Sequence, residues 1–151
     1  MSDRSIEIPS PRVFIIEDNP ADARLVEEGI EATGIDIDFE IIPNGQQAIE
    51  RLTAIDSEAA KTHPDLILLD LNLPGKSGFE VLAAVRNETA FQDVPVVVVS
   101  SSESPEDIKR TYESEANAYV TKPADPDRYI GMIEASVDFW IANVTSSSTN
   151  E

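Results

Sequence analysis

Cysteine is absent from this sequence, which excludes disulfides, thiolate metal centres and thiol nucleophiles together. Histidine occurs once, as His63 ahead of Pro64, and a lone imidazole in a loop reads as an ordinary residue, not as a phosphate carrier. Apolar runs are short. None approaches the ~18 residues that cross a bilayer. The opening MSDRSIEIPSP has no apolar stretch of the kind that directs export, so a cytoplasmic location without membrane contact is expected. The glycines, at Gly29, Gly34, Gly45, Gly75, Gly78 and Gly131, are scattered and do not form the glycine-rich turn that a dinucleotide site requires. Basic residues are scarce as well, eleven against 29 acidic ones, for a net charge of −18. Such a field repels phosphate backbones and anionic lipid, so no direct nucleic-acid partner is expected. The excess suits either a surface adapted to high salt or a local patch for one basic partner. Its spread along the whole chain favours the first.

What is present suffices for one globular domain. A chain of 151 residues buries roughly 70% of its unfolded surface, and 41% hydrophobic with 26% charged residues is the balance of a folded chain. Residues 1–11 and 142–151 are too poor in apolar side chains to pack. The folded domain is therefore expected over 12–141, between a flexible N-terminus and a disordered tail.

Short aliphatic runs mark strands: Val13 to Ile16, Leu66 to Leu69, Val94 to Val99 interrupted by Pro95, and Ala118 to Val120. Runs that are nearly continuous and end abruptly in polar residues belong to strands buried on both faces of a parallel sheet. Ile35 to Ile42 alternates through Ile35, Ile37, Phe39 and Ile41, the pattern of a half-exposed edge strand. Helix signals fall between them. Asn19-Pro20 opens the first helix and Gly34 closes it, with Ala21, Leu25 and Ile30 facing inward. A second follows Pro43-Asn44-Gly45 with Ala48, Ile49 and Leu52, and a third opens at Ser77-Gly78 with Phe79, Leu82 and Val85. Ser104-Pro105-Glu106-Asp107 announces the fourth, and Asp125-Pro126 the last, striped by Ile130, Ile133, Val137 and Trp140. This alternation predicts a doubly wound α/β sheet with right-handed crossovers.

The chemistry gathers at strand ends: Glu17-Asp18 after the first strand, Asp70 after the third, Ser100 after the fourth and Lys122 after the fifth. In a parallel sheet these ends share one edge, where open α/β folds bind ligands. Three carboxylates so close call for a cation or a proton. Oxygen donors alone suit Mg²⁺. One carboxylate can then act as nucleophile toward phosphorus, and Asp70 is the choice because the tight loop Leu71 to Gly78 presents it at the open edge. The Asn72 backbone carbonyl adds a metal oxygen, and Lys122 faces the phosphoryl oxygens. A cis bond between Lys122 and Pro123 would turn the lysine inward.

Four segments carry a family resemblance: Val13-Phe14-Ile15-Ile16-Glu17-Asp18-Asn19-Pro20, Leu68-Leu69-Asp70-Leu71-Asn72-Leu73-Pro74, Val97-Val98-Val99-Ser100-Ser101 and Ala118-Tyr119-Val120-Thr121-Lys122-Pro123. Over residues 12–141 the chain resembles the receiver domains of two-component response regulators and is similar to stand-alone CheY-like proteins. Its Glu-Asp-Asn-Pro and Leu-Asn-Leu-Pro segments look most like receivers serving phytochrome-type and haloarchaeal sensor kinases. The resemblance implies a flavodoxin-like five-stranded sheet in the order 2-1-3-4-5 with five helices. It implies Asp70 as phosphoacceptor, Glu17 and Asp18 as the acidic pair holding Mg²⁺, and Lys122 as the phosphate contact. Ser100 and Tyr119 take the places of the side chains that turn inward together in the switch. A sensor histidine kinase would be the donor and a further protein the reader. The chain departs from the family in having Glu17 where Asp is usual, which shifts weight onto Asp18. It also reads Pro74-Gly75-Lys76-Ser77-Gly78 where Pro-x-x-Asp-Gly is common.

The fourth helix has a thin apolar face, Ile108 and Tyr112, and such weakly anchored elements are free to shift. It is therefore the expected output surface, although a merely solvated helix has the same pattern. Tyr129, Met132 and Phe139 lie off the last helix's stripe, where they either pack at its margins or form a homodimer or partner face. The rival function is an aspartyl-phosphate phosphatase or phosphomutase. It would need a second acid two residues after Asp70, where Asn72 stands, and a cap domain that this length does not hold.

Overall fold

The computed structural model describes residues 10–55 and 63–149. Strands and helices alternate in the order β1 (Arg12–Ile16), α1 (Pro20–Ala32), β2 (Asp38–Ile42), α2 (Gly45–Thr53), β3 (Leu66–Leu69), α3 (Gly78–Glu88), β4 (Val96–Ser100), α4 (Pro105–Glu113), β5 (Ala118–Thr121) and α5 (Pro126–Thr149). The strands pair in parallel as β2-β1-β3-β4-β5. This is the flavodoxin-like arrangement that the resemblance implies.

Side-chain alternation splits the core into two layers. Phe14, Ile16, Ile67, Leu69, Val96 and Val98 face α2 and α3, meeting Ala48, Leu52, Val81, Leu82 and Val85. Val13, Ile15, Leu66, Leu68, Val97 and Val99 face α1 and α5, meeting Val26, Ile30, Ile133, Val137 and Ile141. β1, β3 and β4 are thus covered on both sides, which is why they read as unbroken aliphatic runs. β2 lies at one edge and is partly exposed, as expected, but its only buried residue is Ile42, while Ile41, a member of the apolar alternation, is exposed; the strand begins at Asp38 and not at Ile35.

The inward faces of α1 and α5 differ in phase from those read in the sequence. Ala23, Val26, Gly29 and Ile30 are the buried residues of α1, while Ala21 is exposed and Leu25 only half-buried. On α5 the buried residues are Tyr129, Ile133, Val137 and Ile141, with Ile130 and Trp140 at the margin. Tyr129 is therefore core and no part of a partner face, whereas Phe139 is 58% exposed. Ile30, Ile133 and Val137 are buried as expected, and the two helices approach each other closely at Gly29. A Cβ there would lie 2.6 Å from Cβ of Ile133.

The domain ends also differ. Residues 1–9 of the expected flexible N-terminus lie outside the described residues, but Pro11 is engaged, its carbonyl accepting from the Asp38 N–H at 2.8 Å. The tail expected to be disordered from residue 142 is helical through Thr149, and residues 150–151 lie outside the described residues. A helix already nucleated extends by one hydrogen bond per residue, and no glycine or proline follows Ile141 to stop it.

Candidate functional site

The sheet's register assembles the site. Ile16 pairs with Leu69, so the residues that follow, Glu17 and Asp70, stand side by side at the edge. Backbone bonding continues past each strand. The Asp70 N–H donates to the Ile16 carbonyl at 3.0 Å, the Glu17 N–H to the Ile42 carbonyl at 3.1 Å, and the Lys122 N–H to the Ser100 carbonyl at 2.8 Å. The positions of these side chains are thus held by the same ladder that holds the sheet. They lie where the chain leaves β1 toward β2 on one side and re-enters at β3 on the other, the crevice that open α/β sheets use for ligands.

Local chemistry shapes the loop after Asp70. The Asn72 N–H donates to Asp70 Oδ1 at 3.2 Å, an Asx turn, and the Gly78 N–H closes the loop onto the Leu71 carbonyl at 3.0 Å. Gly78 has no substitute here, because a Cβ would come within 2.5 Å of the Asp70 carbonyl oxygen. Ser77 then starts α3 with a reciprocal capping box to Glu80.

The charges converge on Lys122. Its Nζ donates to Glu17 Oε1 at 2.8 Å, to Asp22 Oδ2 at 2.8 Å and to Asp70 Oδ2 at 3.3 Å. Burial alone would lower the ammonium's pKa, but the bonds to Asp22 and Glu17 and the charges of Glu17 and Asp70 together raise it. Lys122 is a fixed cation. Burial pushes the Glu17 carboxyl up to about 7; the Lys122 bond opposes this in part and the Asp70 charge adds to it. One oxygen from each of Glu17, Asp18 and Asp70 lies within 4.8 Å of the others. Three converging carboxylates with no softer donor fit a hard divalent cation, and Asp18, the exposed member of the three, opens the group to solvent.

The other residues singled out in the sequence are farther along the same edge. Ser100 is fully buried, and its Oγ accepts from the Ser102 N–H at 3.1 Å. Tyr119 is half-buried, its hydroxyl donating to the Ser102 carbonyl at 2.7 Å. A cis peptide before Pro123 is not found: the described residues contain no cis bond. Lys122 reaches the carboxylates by the length of its stem from a β5 end already held at Ser100.

Near the charges, Asp22 escaped the sequence reading, and Tyr129 was read only as a margin or partner-face residue. Asp22 sits in the first turn of α1, where an acid is explained by the helix dipole alone, and only its spacing of four from Asp18 hints at a shared face. Tyr129 buries its hydroxyl without a hydrogen-bond partner. Burial raises its pKa, Lys122 lowers it in part, and Glu17, Asp22 and Asp70 raise it further, so it feels all four charged groups.

A five-stranded parallel sheet in this order, with an acidic trio and a lysine at its switch point, is the arrangement of a signalling receiver. The chain belongs to the response regulator receiver domain family, whose model matches residues 13–134. It is 36% identical to the response regulator Rcp1 of Synechocystis sp. over 145 residues, covering 96% of this chain and 97% of the relative. The crystal structure of the Mn(2+)-bound form of Rcp1 superposes with a TM-score of 0.78 at 35% identity, covering 86% of this chain and 94% of that one. The phosphorylated cyanobacterial phytochrome response regulator RcpA gives 0.81 at 34% identity, covering 89% and 96%. Members of this family act generally as signalling proteins and not as enzymes, taking phosphoryl groups from histidine kinases.

Proposed function

We propose that Asp70 is the phosphoacceptor of this receiver and that a histidine kinase in the cytoplasm supplies the phosphoryl group. The observation that carries this reading is the meeting of four groups at one sheet edge. The Lys122 ammonium lies 3.3 Å from Asp70 Oδ2, beside the trio of carboxylate oxygens within 4.8 Å of one another. An Asp70 oxygen bonds to phosphorus as the donor's phosphorus–nitrogen bond breaks, and the leaving imidazole takes a proton from solvent. Glu17, Asp18, Asp70 and the Asn72 carbonyl would hold Mg²⁺, which when bound offsets the charge of the incoming phosphoryl group. Lys122 supplies the remaining positive charge from a fixed position, and the pairing of its N–H groups orients that charge before the donor arrives.

Ser100 and Tyr119 are read as the switch because both are bonded to Ser102, in the loop ahead of α4. α4 is the output surface in this reading, for a downstream protein of unknown kind. Thr111 is its only fully buried residue, Tyr112 is 50% exposed, and the Arg110 guanidinium over the Phe79 ring at 3.9 Å is one of its few ties to the body. The exposed Phe139 is the place for a second copy, should a homodimer form. The hydrolytic alternative is set aside on chemistry, since Asn72 has no proton to give where a general acid would stand.

The test is incubation with a small acyl phosphate and Mg²⁺, followed by intact-mass measurement. One acid-stable, base-labile phosphoryl group is expected on the wild type and none on Asp70→Asn. Labelling that survives in the Asn variant, or turnover of many phosphomonoesters, refutes the assignment.

A further inference from the structure

We propose that Asp22 is a positioning residue for Lys122, holding its ammonium in place through phosphorylation as well as before it; the inference rests on the phosphoacceptor reading above. The ammonium has three N–H donors and three acceptors, at 2.8 Å on Glu17, 2.8 Å on Asp22 and 3.3 Å on Asp70. The acceptors are not equivalent. Glu17 and Asp70 belong to the trio that converges on a cation site, and Asp22 does not. When a cation draws on Glu17 and Asp70, and Asp70 also carries phosphorus, Asp22 is the carboxylate whose bond to Lys122 has no competitor.

Asp22 is well placed to be such an anchor. Its backbone N–H is tied to the cap at Asn19 Oδ1, 3.2 Å away, so its side chain projects from the capped first turn of α1. Its side chain is 26% exposed, against 5% for that of Glu17. Lys122 is anchored from the opposite side by its own N–H on the Ser100 carbonyl. The bond between them therefore links α1 to the end of β5 across the site. Without it the ammonium would lean on Glu17 and Asp70 alone, competing with the cation for both.

Asp22→Asn keeps the shape and removes the charge. With a small acyl phosphate, the Asp70 oxygen–phosphorus bond forms as the donor's phosphorus–oxygen bond breaks, the leaving carboxylate taking the electron pair. The rate of that step at saturating Mg²⁺ is expected to fall about tenfold in the variant, the effect of losing a charged hydrogen bond. Half-saturating Mg²⁺, read by calorimetric titration without donor, should rise severalfold. Asp22→Glu should recover part of both losses, and thermal unfolding shows whether each variant is folded. The deciding measurement is the double-mutant cycle with Lys122→Met: on that background Asp22→Asn should no longer change the Mg²⁺ titration. Asp22→Asn behaving as wild type, or the same loss persisting without the lysine, overturns the inference while leaving Asp70 as phosphoacceptor. A wild-type protein that takes up no phosphoryl group overturns the function reading and this inference with it.

Discussion

Glu17 occupies the most constrained position at the edge. One of its oxygens accepts from Lys122 and the other from the Asn19 N–H at 3.1 Å, yet the residue is only 5% exposed. Desolvation and the neighbouring Asp70 prevail over those bonds and lift its carboxyl from 4.5 to about 7. The folded protein therefore binds a proton that the unfolded chain releases at lower pH, so this group's contribution is complete below about 4.5 and is lost as pH rises through about 7. In the absence of divalent cation, urea unfolding at pH 5 and pH 7.5 should show wild type losing up to about 3 kcal/mol relative to Glu17→Gln. Saturating Mg²⁺ at the higher pH should restore much of that loss, because the ion stabilises the ionised form. Parallel pH profiles for the two proteins would show that Glu17 does not carry the shift. Strand-end position made Glu17, Asp18, Asp70 and Lys122 legible in the sequence, since each stands within two residues of the end of an apolar run. Asp22 was not legible, because its role depends on how closely α1 approaches the end of β5, which no local pattern encodes.

Between elements, the tightest seam is that of α1 against α5, and it supports the site from below: α1 carries Asp22 in its first turn, and α5 buries Tyr129 in the same layer. Gly29 makes the seam possible, as an added Cβ would sit 2.6 Å from two Ile133 carbons and 3.0 Å from the Ile130 carbonyl oxygen. These are branch-point and backbone atoms with little freedom to yield. Gly29→Ala should therefore destabilise by about 1–3 kcal/mol despite alanine's better helix propensity, measured by urea unfolding at fixed pH. A stabilised variant would mean the helices can separate at no cost. The phase of these helices was the part of the fold that sequence periodicity missed. Ile30, Ile133 and Val137 face inward as their spacing predicts, but Ala21, Leu25 and Ile130 do not, and Ala23, Val26 and Tyr129 are buried in their place. Arg86 was missed for a related reason. Its guanidinium donates to the Gln92, Val94 and Glu115 carbonyls and to Asn117 Oδ1 at 2.8–3.0 Å, joining loops that are distant in sequence.

For the molecule as a whole, the layered α/β core was legible because three strands are buried on both faces and announce it, whereas the strand order followed only from the family resemblance. The charge raises a different question. With 29 acidic residues against eleven basic ones, ion pairs cannot neutralise the surface. Those that form between exposed side chains, such as Arg24 with Glu28 and Lys109 with Glu113, contribute little each. Compacting so many like charges costs free energy that the extended chain avoids. Screening should relieve it, since the distance over which exposed charges interact shrinks from about 10 Å at 0.1 M salt to about 3 Å at 1 M. The melting temperature should therefore rise by several degrees between about 0.1 and 1 M KCl, most steeply at the low end, where the screening length changes fastest. Sucrose at matched osmolality separates screening from general exclusion effects, which strengthen apolar burial without acting on charge. A rise with KCl well above that with sucrose identifies repulsion as the cause. The Lys122 cluster should contribute little to it, because Lys122, Glu17 and Asp70 are 10% exposed or less and buried charges are poorly screened. Glu17→Gln should accordingly leave the slope of melting temperature against salt almost unchanged, while substituting several exposed acids by their amides should flatten it.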